Sequence, residues 1–293
     1  MTHIAVAEAR FAKGGLRVGS IISRAAAVLW RHCLAFSIVA LIAYLPSYVT
    51  SIAASRQLTE WALMARTTQP GDPAALAQGL SVLGWAALSL VALIVFSTLG
   101  EAVIAHAAFQ DLRRRPVSLA ESSNVVFRRL LPILGFAFVA PLLRIVIGLL
   151  AALGVSSIIV GGSTDLLLIW LALGLLIIVG LILYTIWFVA LPACVVERIG
   201  PWSSLRRSRE LTKGHRWKLF GLALLLFIGG FGSSLLQFAL AAVDADPIVE
   251  LIGRLIWQGL WVSFVTTVVA VAYHDLRVAK EGVDIDQVAG VFD

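Results

Sequence analysis

Apolar residues run along this chain in six long blocks, approximately Cys33 to Ala54, Leu80 to Phe109, Leu130 to Leu153, Leu166 to Cys194, Leu219 to Val243 and Ile248 to Tyr273. Each is long enough for a helix, rising 1.5 Å per residue, to cross about 30 Å of hydrocarbon. The pattern predicts an all-α polytopic membrane protein with six transmembrane helices in one domain. Some helix starts are marked. Ser163, Thr164 and Asp165 offer N-caps to the fourth span, and Asp246 before Pro247 offers a cap with proline in the first turn of the sixth. Pro46, Pro141 and Pro192 fall inside spans, where proline kinks a helix whose freed carbonyls find other donors.

Polar positions between the blocks are also patterned. From Leu16 to Trp30, Val18, Ile21, Ile22, Ala25 and Leu29 share one helical face, and Arg17, Ser20, Arg24 and Arg31 the other. This predicts an interfacial amphipathic helix, apolar side on the lipid and arginines toward phosphates. Weaker versions run from Val117 to Arg129 and from Trp202 to Arg216. Their recurrence predicts a threefold repeat of one amphipathic helix plus two spans, over about 16–115, 116–200 and 201–280. The joints agree: Pro116-Val117-Ser118-Leu119 resembles Pro201-Trp202-Ser203-Ser204-Leu205, and Phe109-Gln110-Asp111-Leu112-Arg113 resembles Tyr273-His274-Asp275-Leu276-Arg277, with Glu197-Arg198 a looser counterpart.

Charge gives the topology a direction. Of 293 residues, 60% are hydrophobic and 14% charged, which excludes both an ordinary soluble globule and a disordered chain. With the N-terminus in the cytoplasm, the inner side collects Arg10, Lys13, Arg17, Arg24 and Arg31, then Arg113, Arg114, Arg115, Arg128 and Arg129. Arg198, Arg206, Arg207, Arg209, Lys213, Arg216, Lys218, Arg277 and Lys280 complete it, nineteen cations against Arg56, Arg66, Arg144 and Arg254 elsewhere. Both termini are therefore expected inside a bacterial inner membrane. The same bias accounts for the net charge of +6 without nucleic acid as a partner. Cys33 and Cys194 read as free thiols, and the lead before the first span is too long for a cleavable signal peptide.

Candidate chemistry is sparse. Glu101 lies ten residues, about 15 Å, inward from Asp111, with Ser97 and Thr98 one turn before it and Ser89 on the same stripe. Arg144 is comparably deep and is its counter-ion candidate. An intramembrane Glu and Arg can form a substrate, ion or proton site, or a structural ion pair, and a solitary pair favours the second. No histidine is spaced for a metal, no cofactor is indicated, and catalytic motifs are absent. Trp30, Trp61, Trp202, Trp217 and Trp257 fall near span ends, as an interfacial belt would place them. Arg24, Arg128, Arg129, Arg206, Arg207, Arg209, Lys213, Arg216 and Lys218 are the candidates for headgroup or partner contact, with Gly214 closing the third amphipathic helix in a left-handed turn.

Residues Ser208, Leu211, Thr212, Gly214 and Trp217, after Leu191-Pro192-Ala193 and Val196-Glu197-Arg198, resemble the glycerophosphoryl diester phosphodiesterase membrane-domain family and related six-span bacterial inner-membrane proteins. Asp275, Arg277, Glu281 and Gly282 are similar to the ending of those proteins. The resemblance covers mainly residues 185 to 290. It implies an all-helical membrane module, expected to stand without the soluble catalytic domain and so without phosphodiesterase activity. Together these readings predict a non-catalytic membrane protein that binds phospholipids, handles envelope lipid or scaffolds a membrane partner or a second copy of itself. A transporter built on Glu101 and Arg144 is the alternative, and an intramembrane lipid enzyme the second alternative.

Overall fold

The computed structural model describes residues 17–67, 72–139, 166–241 and 247–281. The described residues form helices α1 (Val18–Thr67), α2 (Pro73–Leu112), α3 (Leu119–Phe127), α4 (Leu130–Val139), α5 (Leu166–Trp187), α6 (Ala190–Val196), α7 (Pro201–Thr212), α8 (Arg216–Ala241) and α9 (Pro247–Glu281). Among them are five segments long and apolar enough to cross a membrane, Val18–Met64, Ala77–Leu112, Ile178–Val196, Arg216–Leu235 and Leu251–Glu281. Five of the six expected blocks are thus helical. Most of the Leu130 to Leu153 block, with Arg144, lies outside the described residues, as does Gly282.

Helices α1, α2 and α9 pack together as the centre of the bundle, and small residues set how closely. Gly100 of α2 faces Ala43 of α1 so tightly that a Cβ on Gly100 would overlap the Ala43 methyl. A Cβ on Gly259 of α9 would stand 3.3 Å from both the Ser37 carbonyl oxygen and Leu41 Cγ. Such contacts substitute for the hydrophobic driving force that helix pairs lose in lipid. Outward faces keep large exposed apolar side chains, among them Leu34, Ile42, Val49, Ile178 and Phe231, a surface that water would reject and hydrocarbon accepts.

The first amphipathic segment and the first span are one helix with a joint. At His32 the backbone leaves helical geometry (φ −121°, ψ 21°). Asp111 at the end of α2 binds both sides of it, receiving Arg31 at 2.5 Å and lying 3.0 Å from His32 Nε2. His32 is half-buried there. The apolar face expected to lie on lipid is also in protein: Ile21, Ala25 and Val28 are buried, the first two beside Leu219, Val271, Tyr273 and Leu276. Pattern alone marks a face as apolar without saying which apolar medium covers it.

Proline explains a second irregularity. Pro192 has no N–H to give the carbonyl four residues earlier, at Phe188, and the helix breaks at Phe188–Val189 between α5 and α6. Just before the break, the Ile186 carbonyl receives the Ser208 hydroxyl at 2.8 Å. The expected caps of the fourth and sixth spans, Ser163 to Asp165 and Asp246, lie outside the described residues. Helix α2 begins earlier than expected, at Pro73, with the Asp72 carboxylate accepting the Ala74 amide at 2.8 Å.

Candidate functional site

The end of the bundle where α2, α6 and α9 terminate carries most of the charge, arranged in two layers. The inner layer is made of ion pairs between elements. Arg24 of α1 donates to Asp275 at 2.5 Å, with His274 3.5 Å from the same carboxylate. Glu197, just after α6, accepts Arg207 Nε at both oxygens (2.9 and 3.0 Å) and the buried Tyr273 hydroxyl at 2.8 Å. Arg207 also donates through Nη2 to Glu281, which Arg277 holds at 2.8 Å. One guanidinium therefore ties α7 to the α6 terminus and to the end of α9. These carboxylates raise the Arg207 pKa against the burial that would lower it.

Two expectations are corrected here. Arg24 and Arg207 were both candidates for headgroup or partner contact, and both turn inward to carboxylates of this chain. Arg129 also engages protein, donating to the Arg198 carbonyl. The reason is helical geometry. On α7, Ser204, Ser208, Leu211 and Thr212 form the buried face, and Arg207 projects along its edge, where Glu197 and Glu281 are in reach.

Arg206, Arg209, Glu210 and Lys213 occupy the opposite face at helical spacing, one above another. With Arg216 they line an open cavity of about 400 Å³. The α7–α8 turn brings Arg216 to them: Lys213 ends α7, Gly214 adopts φ +92°, and the His215 amide closes the turn on the Thr212 carbonyl at 3.0 Å. A side chain at Gly214 would be strained in this left-handed conformation, so Gly214→Ala is expected to cost about 1 kcal/mol, read as a lower melting temperature. Glu210 is paired with Arg206 at 3.2 Å. Arg209, Lys213, Arg216 and Lys218 are exposed and have no carboxylate partner among the described residues. Trp202 (73% exposed) and Trp217 (86% exposed) flank this face, and Trp30 is equally open at the joint of α1.

His215 sits in the same turn. Burial first, then the nearby charges of Lys218 and Lys280, hold its pKa below the ordinary 6.5. The folded chain resists a proton that the unfolded chain accepts, so stability is full above about pH 6.5 and falls as pH drops toward the depressed value. The decline in melting temperature between about pH 7 and pH 5 is expected to be shallower in His215→Gln.

The remaining candidates divide. Ser97 and Thr98 are buried, Thr98 bonded to the Ile94 carbonyl at 2.7 Å. Glu101 is half-buried and accepts the Tyr44 hydroxyl at 3.4 Å, a partner that spacing within α2 could not show. Arg144 lies outside the described residues. Arg128 is exposed, its Nε on Asn124 Oδ1 at 3.2 Å. Ser208, Leu211 and Thr212, singled out by resemblance, are packing residues of α7, whereas Asp275, Arg277 and Glu281 are anchors of the ion-pair layer. The signal for the buried face was present as small hydroxyls at four-residue spacing, Ser204, Ser208 and Thr212, opposite the long cations.

Comparison with curated proteins and with solved structures gives no match. A family model does match, over residues 16–276, which takes in the outer cations and the inner charge layer up to Asp275, and every described helix except the last turn of α9. The chain belongs to that family, described as a domain of unknown function, DUF7847.

Proposed function

We propose that this protein is a non-catalytic, multi-pass inner-membrane protein whose cytoplasmic face holds anionic lipid headgroups, serving envelope lipid handling or the seating of a membrane partner. The observation that carries this reading is the sorting of charge at the basic end. Four carboxylates, Asp111, Glu197, Asp275 and Glu281, are taken up by cations in the inner layer, while Arg209, Lys213, Arg216 and Lys218 face outward between exposed tryptophans. Cations at the level of a tryptophan belt meet lipid phosphates, each gaining about 1 kcal/mol at an anionic surface. Two junctions share a geometry that fits the repeat: Arg114 and Arg198 both follow a helix end with φ 58°, and a proline and an amphipathic helix come next. The resemblance of residues 185 to 290 to the phosphodiesterase-associated membrane module points the same way.

Native mass spectrometry of the detergent-extracted protein tests the reading. Wild type is expected to retain phosphatidylglycerol over phosphatidylethanolamine, and Arg209→Gln/Arg216→Gln/Lys218→Gln to lose that preference with its melting temperature unchanged. Equal retention of both lipids by wild type would refute it.

Transport through Glu101 is the second reading, favoured by a half-buried carboxyl among Tyr44, Ser97 and Thr98. It requires Glu101→Gln to abolish flux in proteoliposomes at unchanged stability.

A further inference from the structure

We propose that the cavity framed by Arg206, Arg209, Lys213 and Arg216 is a binding site for a phosphomonoester group, presented at the membrane surface by an anionic lipid. The proposal rests on the headgroup reading above and narrows it from a charged face to one site with one ligand chemistry.

Charge is the first argument. Four cations and one carboxylate line the cavity, and that carboxylate, Glu210, is already paired with Arg206. The formal excess is three positive charges. A phosphodiester headgroup brings one negative charge, whereas a phosphomonoester brings about 1.5 to 2 and three acceptor oxygens. Donor geometry is the second. Arg209 and Arg216 each offer a planar fork suited to two phosphate oxygens, and Lys213 adds a point charge between them. The first turn of α8, a helix of 26 residues, begins at Arg216 and contributes the partial positive charge of its N-terminus.

Shape and position complete the case. The cavity, at about 400 Å³, falls within the roughly 300–1,000 Å³ range of small-molecule sites. Trp202 and Trp217 sit at the two ends of the segment that builds it, which places its mouth at headgroup depth. Most importantly, the site is preorganised. Ser208, Leu211 and Thr212 fix the back of α7, Arg207 staples its edge, and Gly214 sets the angle at which α8 leaves. The backbone positions from which the cations reach the cavity are therefore set without the ligand.

Titration of the detergent-solubilised chain with dioctanoyl phosphatidic acid, dioctanoyl phosphatidylglycerol, dioctanoyl phosphatidylcholine and inorganic phosphate, followed by calorimetry, tests the proposal. Phosphatidic acid is expected to bind at one site about tenfold more tightly than phosphatidylglycerol. Arg209→Gln/Lys213→Gln should remove that advantage with no loss of melting temperature, while the equally charged control Arg114→Gln/Arg115→Gln should change it less than about twofold. Equal affinity for the two anionic lipids, or equal weakening in the two variants, would overturn the site and leave the general headgroup reading standing. No preference for either anionic lipid over phosphatidylcholine would remove both. Inorganic phosphate binding as tightly as phosphatidic acid would keep the phosphate chemistry and overturn the lipid as its source.

Discussion

Replacing Arg207 with methionine is expected to destabilise the protein by about 2 kcal/mol without changing lipid selectivity. Methionine keeps most of the side-chain volume and removes the charge, leaving Glu197 and Glu281 without the cation that both bind. Breaking a fully buried ion pair costs about 3–5 kcal/mol. The smaller figure is adopted because Arg207 and Glu197 are 27% and 17% exposed and Glu281 is 37% exposed, so water screens part of the loss. Tyr273 remains to Glu197 and Arg277 to Glu281. A melt in detergent, paired with lipid retention by mass spectrometry, separates the two roles that a basic loop can have. A drop in stability with selectivity intact marks Arg207 as a staple. Lost selectivity at full stability would assign it to lipid and return it to the group containing Arg209 and Arg216. Arg207→Lys is expected to recover only part of the stability, because an ammonium lacks the planar fork that serves two carboxylates at once.

The second large effect is expected at Gly100. Alanine there would press its methyl into that of Ala43, and neither a helix backbone nor a methyl group can fold away as a long side chain does. Overpacking of this kind costs about 1–3 kcal/mol; the upper half of that range is expected, since relief requires separating α1 from α2. Separation would also lengthen the bond from Tyr44, adjacent to Ala43, to Glu101, adjacent to Gly100. Ala43→Gly in the Gly100→Ala background restores the space and is expected to recover most of the melting temperature. A Gly100→Ala protein as stable as wild type would show that the two helices are not held at this distance. The corresponding contact in α8 and α9, where a Cβ on Gly229 would lie 2.6 Å from the Trp261 ring, is softer because an indole can rotate.

Much of the architecture was legible because its causes are local. A run of apolar residues either reaches the length of a span or does not, and Ser118 and Gly214 punctuate helices through their own local chemistry: a hydroxyl accepting the Glu121 amide at 3.2 Å, and a left-handed turn. The site was legible only as a region. Nine cations were assigned to headgroup or partner contact in one class, and the structure divides them, with Arg24, Arg129 and Arg207 tied to groups of this chain and Arg209, Lys213, Arg216 and Lys218 turned outward. Neighbouring residues on a helix point about 100° apart. The direction of Arg206 against Arg207 is therefore decided by which face finds a partner, and their partners differ accordingly. Arg206 meets Glu210 on its own helix, whereas Arg207 meets residues 10 and 74 positions away.

The amphipathic lead of α1 makes the same point. Its sequence established that Ile21 and Ala25 would leave water, since exposing them costs the same whatever lies beyond. Whether they would enter lipid or protein depended on Tyr273 and Leu276, some 250 residues away, arriving at the same place. Local sequence determined what each segment could not tolerate: an apolar span in water, an unpaired carbonyl before Pro192, a side chain at Gly214. Tertiary structure alone decided which neighbour met each demand, because packing is a competition among surfaces brought together from the whole chain, and the winner is set by shape and distance rather than by residue type.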